Sequence, residues 1–83
     1  MGGRIMREIK VQFQSFRDVR EFSQLAARQP FQITVGTEKY RVNATSVLGI
    51  FTLNCRRPLT ASFTCSEEDF LRFTGEAEKY LVK

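Results

Sequence analysis

The stretch that decides the fold runs Phe31-Gln32-Ile33-Thr34-Val35-Gly36-Thr37-Glu38-Lys39-Tyr40-Arg41-Val42-Asn43-Ala44 and continues Thr45-Ser46-Val47-Leu48-Gly49-Ile50. Phe31, Ile33 and Val35 alternate with other residues, Gly36-Thr37-Glu38-Lys39 supplies a turn, and Tyr40, Val42 and Ala44 alternate after it. Two period-two runs around a turn of that composition predict a β-hairpin. The period then changes: Val47, Leu48, Ile50, Phe51 and Leu53 are apolar at helical spacing, and Ser46 is placed to cap their start. Gly49 and the shortness of the run limit this helix to about two turns.

Working outward, Ile5, Arg7, Ile9, Val11 and Phe13 alternate with Glu8, Lys10 and Gln12, which predicts a strand with one wet face. Ser15-Phe16-Arg17-Asp18 sets a carboxylate three residues after a serine, a relative of the capping box, so a helix starts just after Ser15. Phe16, Val19, Phe22, Leu25 and Ala26 form its apolar face, and Pro30 closes the segment. On the other side, Leu59, Ala61, Phe63 and Cys65 alternate with Thr60, Ser62 and Thr64 as a fourth strand. Ser66 then caps a last helix with Glu67, Glu68 and Asp69 in its first turn, where they suit the helix dipole. Phe70, Phe73, Ala77, Tyr80 and Leu81 line one face of it. The order β-α-β-β-α-β-α, with strands that bury only one face, predicts an α+β, open-faced two-layer sandwich: four strands with three helices on one face.

A chain of 83 residues makes one domain, 1–83, with a modest core that hides about 60% of the unfolded surface. The chain is 42% hydrophobic and 12% aromatic, which fits a packed globule rather than a disordered segment. It contains no histidine. That excludes imidazole acid–base catalysis, Ser/His and Cys/His nucleophile pairs, and His-ligated metal. Cys55 and Cys65 form neither a CxxC pair nor a zinc ligand set. Cys65 continues an inward series and reads as packing; Arg56 and Arg57 beside Cys55 would lower its pKa, yet no second thiol stands near enough for redox work. No metal or cofactor is expected. Met1-Gly2-Gly3-Arg4 carries no apolar signal, so the cytoplasm is the expected location, with the cysteines reduced. The 13 Lys+Arg exceed the 9 Asp+Glu by four, but the bases are scattered among acids. Arg17 with Arg20 and Arg56 with Arg57 are only short basic pairs, so nucleic acid is not the expected partner, and neither is a membrane.

This element order and length resemble HPr, the phosphocarrier of the bacterial sugar phosphotransferase system. The hairpin and the run Ser46-Val47-Leu48-Gly49 resemble the family's second and third strands and its regulatory-serine motif. The resemblance spans nearly the whole chain, with a small deletion around Arg56–Pro58. It implies an HPr-like fold, and it breaks at the carrier site. Where the family has Gly, aliphatic, His, small, Arg, Pro, this chain reads Phe13-Gln14-Ser15-Phe16-Arg17-Asp18, and only Arg17 matches. Ser15 thus falls at the position of the phosphorylated histidine. A serine ester there would be a poor phosphoryl donor, so no relay from enzyme I to a permease is expected.

Two serines remain to be weighed. Local context explains Ser15 as a cap worth roughly 0.5–2 kcal/mol. Arg17 offers a guanidinium to an anion at that helix start, or is simply solvated. The resemblance implies that Ser46 is the residue phosphorylated by a dedicated ATP-dependent kinase in some members, with Val47, Leu48 and Phe51 in the docking patch. Its other role is capping alone, since Thr45 replaces the lysine that often precedes it. The expectation is a non-catalytic binding or regulatory module of carbon catabolite control. Arg17, Arg20, Ser46, Val47, Leu48 and Phe51 would meet protein partners such as HPr kinase/phosphorylase or a catabolite-control transcription regulator. The alternative is an HPr-like fold recruited to an unrelated role, such as binding nucleic acid or another partner.

Overall fold

A computed structural model describes residues 4–82; the reading of Met1–Gly3 as free of a signal lies outside them. Strand β1 (Ile5–Val11) is followed by α1 (Phe16–Ala27), the hairpin β2 (Ile33–Gly36) and β3 (Arg41–Asn43), then α2 (Val47–Phe51), β4 (Leu59–Cys65) and α3 (Glu67–Glu76). The strands form one antiparallel sheet in the order β1-β4-β2-β3. The α+β sandwich read from the sequence is the one observed.

All three helices begin at the expected serines. The hydroxyl oxygens of Ser15, Ser46 and Ser66 accept the amide N–H groups of Asp18, Gly49 and Asp69 at 3.2, 3.0 and 3.2 Å. Each bond satisfies a donor that the first helical turn leaves unpaired. The inward residues Leu59, Ala61, Phe63 and Cys65 of β4 pack with Ile33, Val35, Val11, Val19 and Phe22. Aromatic rings tie the two layers together: Phe73 lies 6.2 Å from Phe22 and 5.2 Å from Phe63, and Tyr80 lies 5.5 Å from Phe22. Tilted pairs of this kind add to the area they bury. The other face of the sheet is polar. There Arg41 reaches over β2 to donate to Ser62 at 3.0 Å and to pair with Glu8 at 3.6 Å.

Several local expectations are corrected. Tyr40 is 70% exposed and stands outside β3, because its carbonyl accepts the Thr37 N–H at 2.8 Å and closes the turn before the strand begins. Phe31 precedes β2 and is half-buried, stacked on Phe63 at 5.3 Å. Phe16 is 61% exposed: as the first residue of α1 it projects beyond the core. Helix α2 has five residues, less than the two turns expected, and Leu53 follows it in a bend. Helix α3 stops at Glu76 rather than carrying its face through Leu81. Glu78–Tyr80 turn as a 3-10 segment, and Leu81 forms an isolated antiparallel bridge to Val11 of β1. The Val82 N–H donates to the Lys10 carbonyl at 3.0 Å and the Gln12 N–H to the Tyr80 carbonyl at 2.8 Å. These bonds draw the chain off the helix axis.

Candidate functional site

The N-terminus of α1, helix α2 and the loop 54–58 meet at one end of the molecule. Ser15 is extended, with φ −154° and ψ 166°, which turns its hydroxyl back over the first helical turn. Asp18 completes a reciprocal arrangement: one of its carboxylate oxygens accepts the Gln14 N–H at 3.0 Å. This is a capping box shifted by one residue, since the acid reaches the residue before the cap. A negative charge therefore already occupies the start of α1, and it opposes a second anion there.

Beside this cap, the Phe16 and Phe51 rings stack at 4.8 Å with 29° between their planes. Phe51 is 38% exposed and Leu48 is 80% exposed, while Val47 is half-buried against the core. The sequence-selected Val47, Leu48 and Phe51 thus share one helix, and Phe16 joins them from α1. Ser46 is exposed at the other end of α2, its hydroxyl committed to the Gly49 N–H. Gly49 lets α2 settle on β3: a Cβ there would stand 3.2 Å from the Val42 side chain and 3.0 Å from the Ser46 hydroxyl. Arg17 and Arg20 are exposed on α1, and Arg17 adds to the lowering of the Glu21 pKa one turn on.

A shallow cleft runs from Ser15 and Phe16 past Phe51 to Cys55 and Arg56. The last two escape the sequence reading as members of this site. Their placement depends on a contact 44 residues apart, the Gln12 side-chain amide donating to the Arg56 carbonyl at 2.8 Å, and on Asn54 accepting the Arg56 N–H. No local pattern encodes that. The expected acidic shift of Cys55 is reversed: burial pushes its thiol pKa up, and the nearest bond is from the thiol to the Ile50 carbonyl at 3.5 Å. Burial, with Asp69 next in importance, also pushes Cys65 up. Both thiols are therefore poor nucleophiles near neutrality.

Among the described residues no cluster of three or more His, Cys, Asp or Glu side chains is placed to hold a metal. No helix among them is long and apolar enough to cross a membrane. The end of the molecule offers an apolar surface with arginines at its border, which is the composition of a protein-binding patch.

No protein-family model matches the chain, and no curated protein matches it significantly. Solved structures that resemble it include the phosphocarrier protein HPr from Bacillus anthracis str. Ames. It is 22% identical with a TM-score of 0.64, over 89% of this chain and 96% of that one. Another is HPr-C-His from Thermoanaerobacter tengcongensis, 25% identical with a TM-score of 0.59, over 90% of each chain. The chain has the HPr-like fold.

Proposed function

We propose that this chain is a histidine-less relative of the HPr phosphocarriers, working without catalysis as a binding or regulatory module in the cytoplasm. Its relation to the sugar phosphotransferase system rests on the fold shared with the two phosphocarriers. The observation that carries the reading is the pairing of that fold with a chain holding no histidine. Ser15 stands where the family's carrier residue is expected, and its hydroxyl is used as a cap beside the Asp18 carboxylate. A serine ester lacks the easily exchanged phosphorus–nitrogen bond that reversible carriage uses, and no imidazole is available to activate the hydroxyl.

What the site retains is a docking surface. Leu48 and Phe51 supply exposed apolar area, Phe16 extends it, and Arg17 and Arg20 stand on the neighbouring helix. Ser46 is the candidate for regulatory phosphorylation. The residue is exposed and its hydroxyl accepts only the Gly49 N–H, so a kinase such as HPr kinase/phosphorylase would take it out of that cap, and a phosphate there would change the charge beside Val47 and Leu48. A protein partner such as a catabolite-control transcription regulator would read that change.

Intact-mass measurement tests the proposal. With HPr kinase and ATP, the wild type should gain one phosphate and Ser46→Ala none; no Ser46-dependent gain overturns the regulatory assignment. With enzyme I and phosphoenolpyruvate the mass should stay constant, and an acid-labile adduct would sink the non-carrier reading.

A further inference from the structure

The net charge of +4 is only partly accounted for by the docking patch, which borders Arg17 and Arg20 but leaves Arg28 outside it. Four ion pairs form among the described residues, Arg7–Glu67, Arg41–Glu8, Arg72–Asp69 and Lys79–Glu21, and none involves Arg17, Arg20, Arg28, Arg56 or Arg57. Helix α1 aligns residues that its own sequence spaces three and four apart. Arg17, Arg20, Gln24 and Arg28 recur at helical spacing on the solvent ridge of α1, opposite its buried Val19, Phe22, Leu25 and Ala26, and all four are exposed. The ridge runs about 16 Å at 1.5 Å per residue. Glu21 flanks it with its charge balanced by Lys79 at 2.7 Å, while Asp18, bonded to the neutral Gln14 amide, keeps its charge at the N-terminal end, where Arg17 and Arg20 must outweigh it. Of the acids on α3 and just beyond it, Glu67, Glu68, Asp69 and Glu78 stand off the ridge, whereas Glu76 lines the same shallow depression as Gln24 and Arg28 and accepts from the Gln29 side chain at 3.3 Å.

We infer that this ridge binds single-stranded nucleic acid, with the phosphate backbone along Arg17, Arg20 and Arg28 and a base stacked on Phe16. Three features favour that occupant over an acidic protein. Every unpaired base on the ridge is an arginine, whose planar fork suits phosphate oxygens. The ridge itself has no large apolar side chain to form the dry centre that a protein interface needs, whereas phosphate binding gains from counterion release alone. At its N-terminal end, one turn from Arg20, Phe16 stacks one side of its ring on Phe51 and still exposes 61% of its surface beside a line of cations, which leaves its other side as a stacking platform next to a basic track of the kind that single strands use.

The test is fluorescence anisotropy of the full chain with a labelled oligouridylate of about fifteen nucleotides. Binding at low salt should weaken roughly 20-fold between 50 and 200 mM salt, as about three phosphate contacts on a single strand require. Arg17→Gln/Arg20→Gln/Arg28→Gln should lower affinity more than about 10-fold and flatten the salt slope by about 2. Phe16→Ala should lower it about 5-fold or more. All four positions are exposed, and unchanged circular dichroism would show that the variants fold. Several results would overturn the inference: no binding at low salt, affinity indifferent to the arginines, or binding to poly-glutamate of matched charge at least as tight, which would assign the ridge to an acidic protein. Equal affinity for a duplex together with indifference to Phe16→Ala would overturn the single-strand assignment.

Discussion

A Cβ added at Gly36 would stand 1.9 Å from the Tyr40 carbonyl oxygen and 2.8 Å from the Arg41 Cα. Both obstacles are backbone, so no rotamer change relieves them. Gly36 pairs with Arg41 in the hairpin, and the Tyr40 carbonyl beside it is held by the Thr37 N–H. The glycine is required here by close approach, since its φ is not positive. Gly36→Ala should therefore displace the turn or the β2–β3 register, at a cost of about 1–3 kcal/mol. Urea unfolding would read this as a lower midpoint, and amide exchange should quicken at Val35 and Val42. Gly75 is the contrasting case. A Cβ there meets nothing within 4 Å, and the residue lies inside α3 without a positive φ. Gly75→Ala should stabilise the fold by about 0.5–1 kcal/mol, raising Tm by a few degrees.

At the scale of elements, one polar contact joins α1 to the segment after α3. Lys79 donates to a Glu21 carboxylate oxygen at 2.7 Å, and the Tyr80 hydroxyl approaches the same oxygen at 3.5 Å. The Lys79 hydrogen bond holds the Glu21 pKa below its ordinary value of 4.5, and the same bond raises Lys79. A depressed carboxylate contributes stability above its unfolded pKa and loses it as pH falls through the folded one. A raised lysine contributes below its unfolded pKa and loses it only as pH climbs through the folded one. The contact should therefore act evenly across neutral pH and fade below about pH 4.5. Both groups are exposed, so the effect is small, and Glu21→Gln should lower the neutral plateau of a Tm-against-pH curve slightly while leaving its acid end unchanged, which flattens the acid limb by the same small amount. The elements so tied are partly legible in sequence. The caps at Ser15, Ser46 and Ser66 and the alternation of β1 and β4 are local signals, and the structure contains them where expected. The end of α3 is not local. Ala77, Tyr80 and Leu81 keep helical spacing in sequence, but the Val11–Leu81 bridge claims the chain from the far side of the molecule.

For the whole molecule, the same division separates what the sequence shows of the docking end from what it hides. Ser15, Val47, Leu48 and Phe51 are each marked by a cap or a helical period. Cys55 and Arg56 reach the cleft through the Gln12–Arg56 bond, and Phe16 leaves the core for Phe51 because its helix starts at the rim. That end can be given over to surface chemistry because stability is concentrated elsewhere, in one aromatic cluster spanning both layers. Phe73 is fully buried at its centre, with ring centroids of Phe22, Phe31 and Phe63 at 6.2, 5.8 and 5.2 Å. A domain of this length has about 4–12 kcal/mol of total stability, at roughly 0.05–0.15 kcal/mol per residue. Truncating a buried phenylalanine removes about 3–5 kcal/mol, through lost transfer energy and the cavity left behind. Phe73→Ala should therefore take away a large share of the whole, because no second core stands in reserve in a chain this small. Leu48→Ala, at a side chain 80% exposed, should change stability by less than about 0.5 kcal/mol. Urea titrations of the two variants separate the roles: the midpoint should fall sharply for Phe73→Ala with an unchanged m-value, and stay within error for Leu48→Ala. A comparable loss in both would mean that the α2 surface is part of the core rather than a surface free to meet a partner.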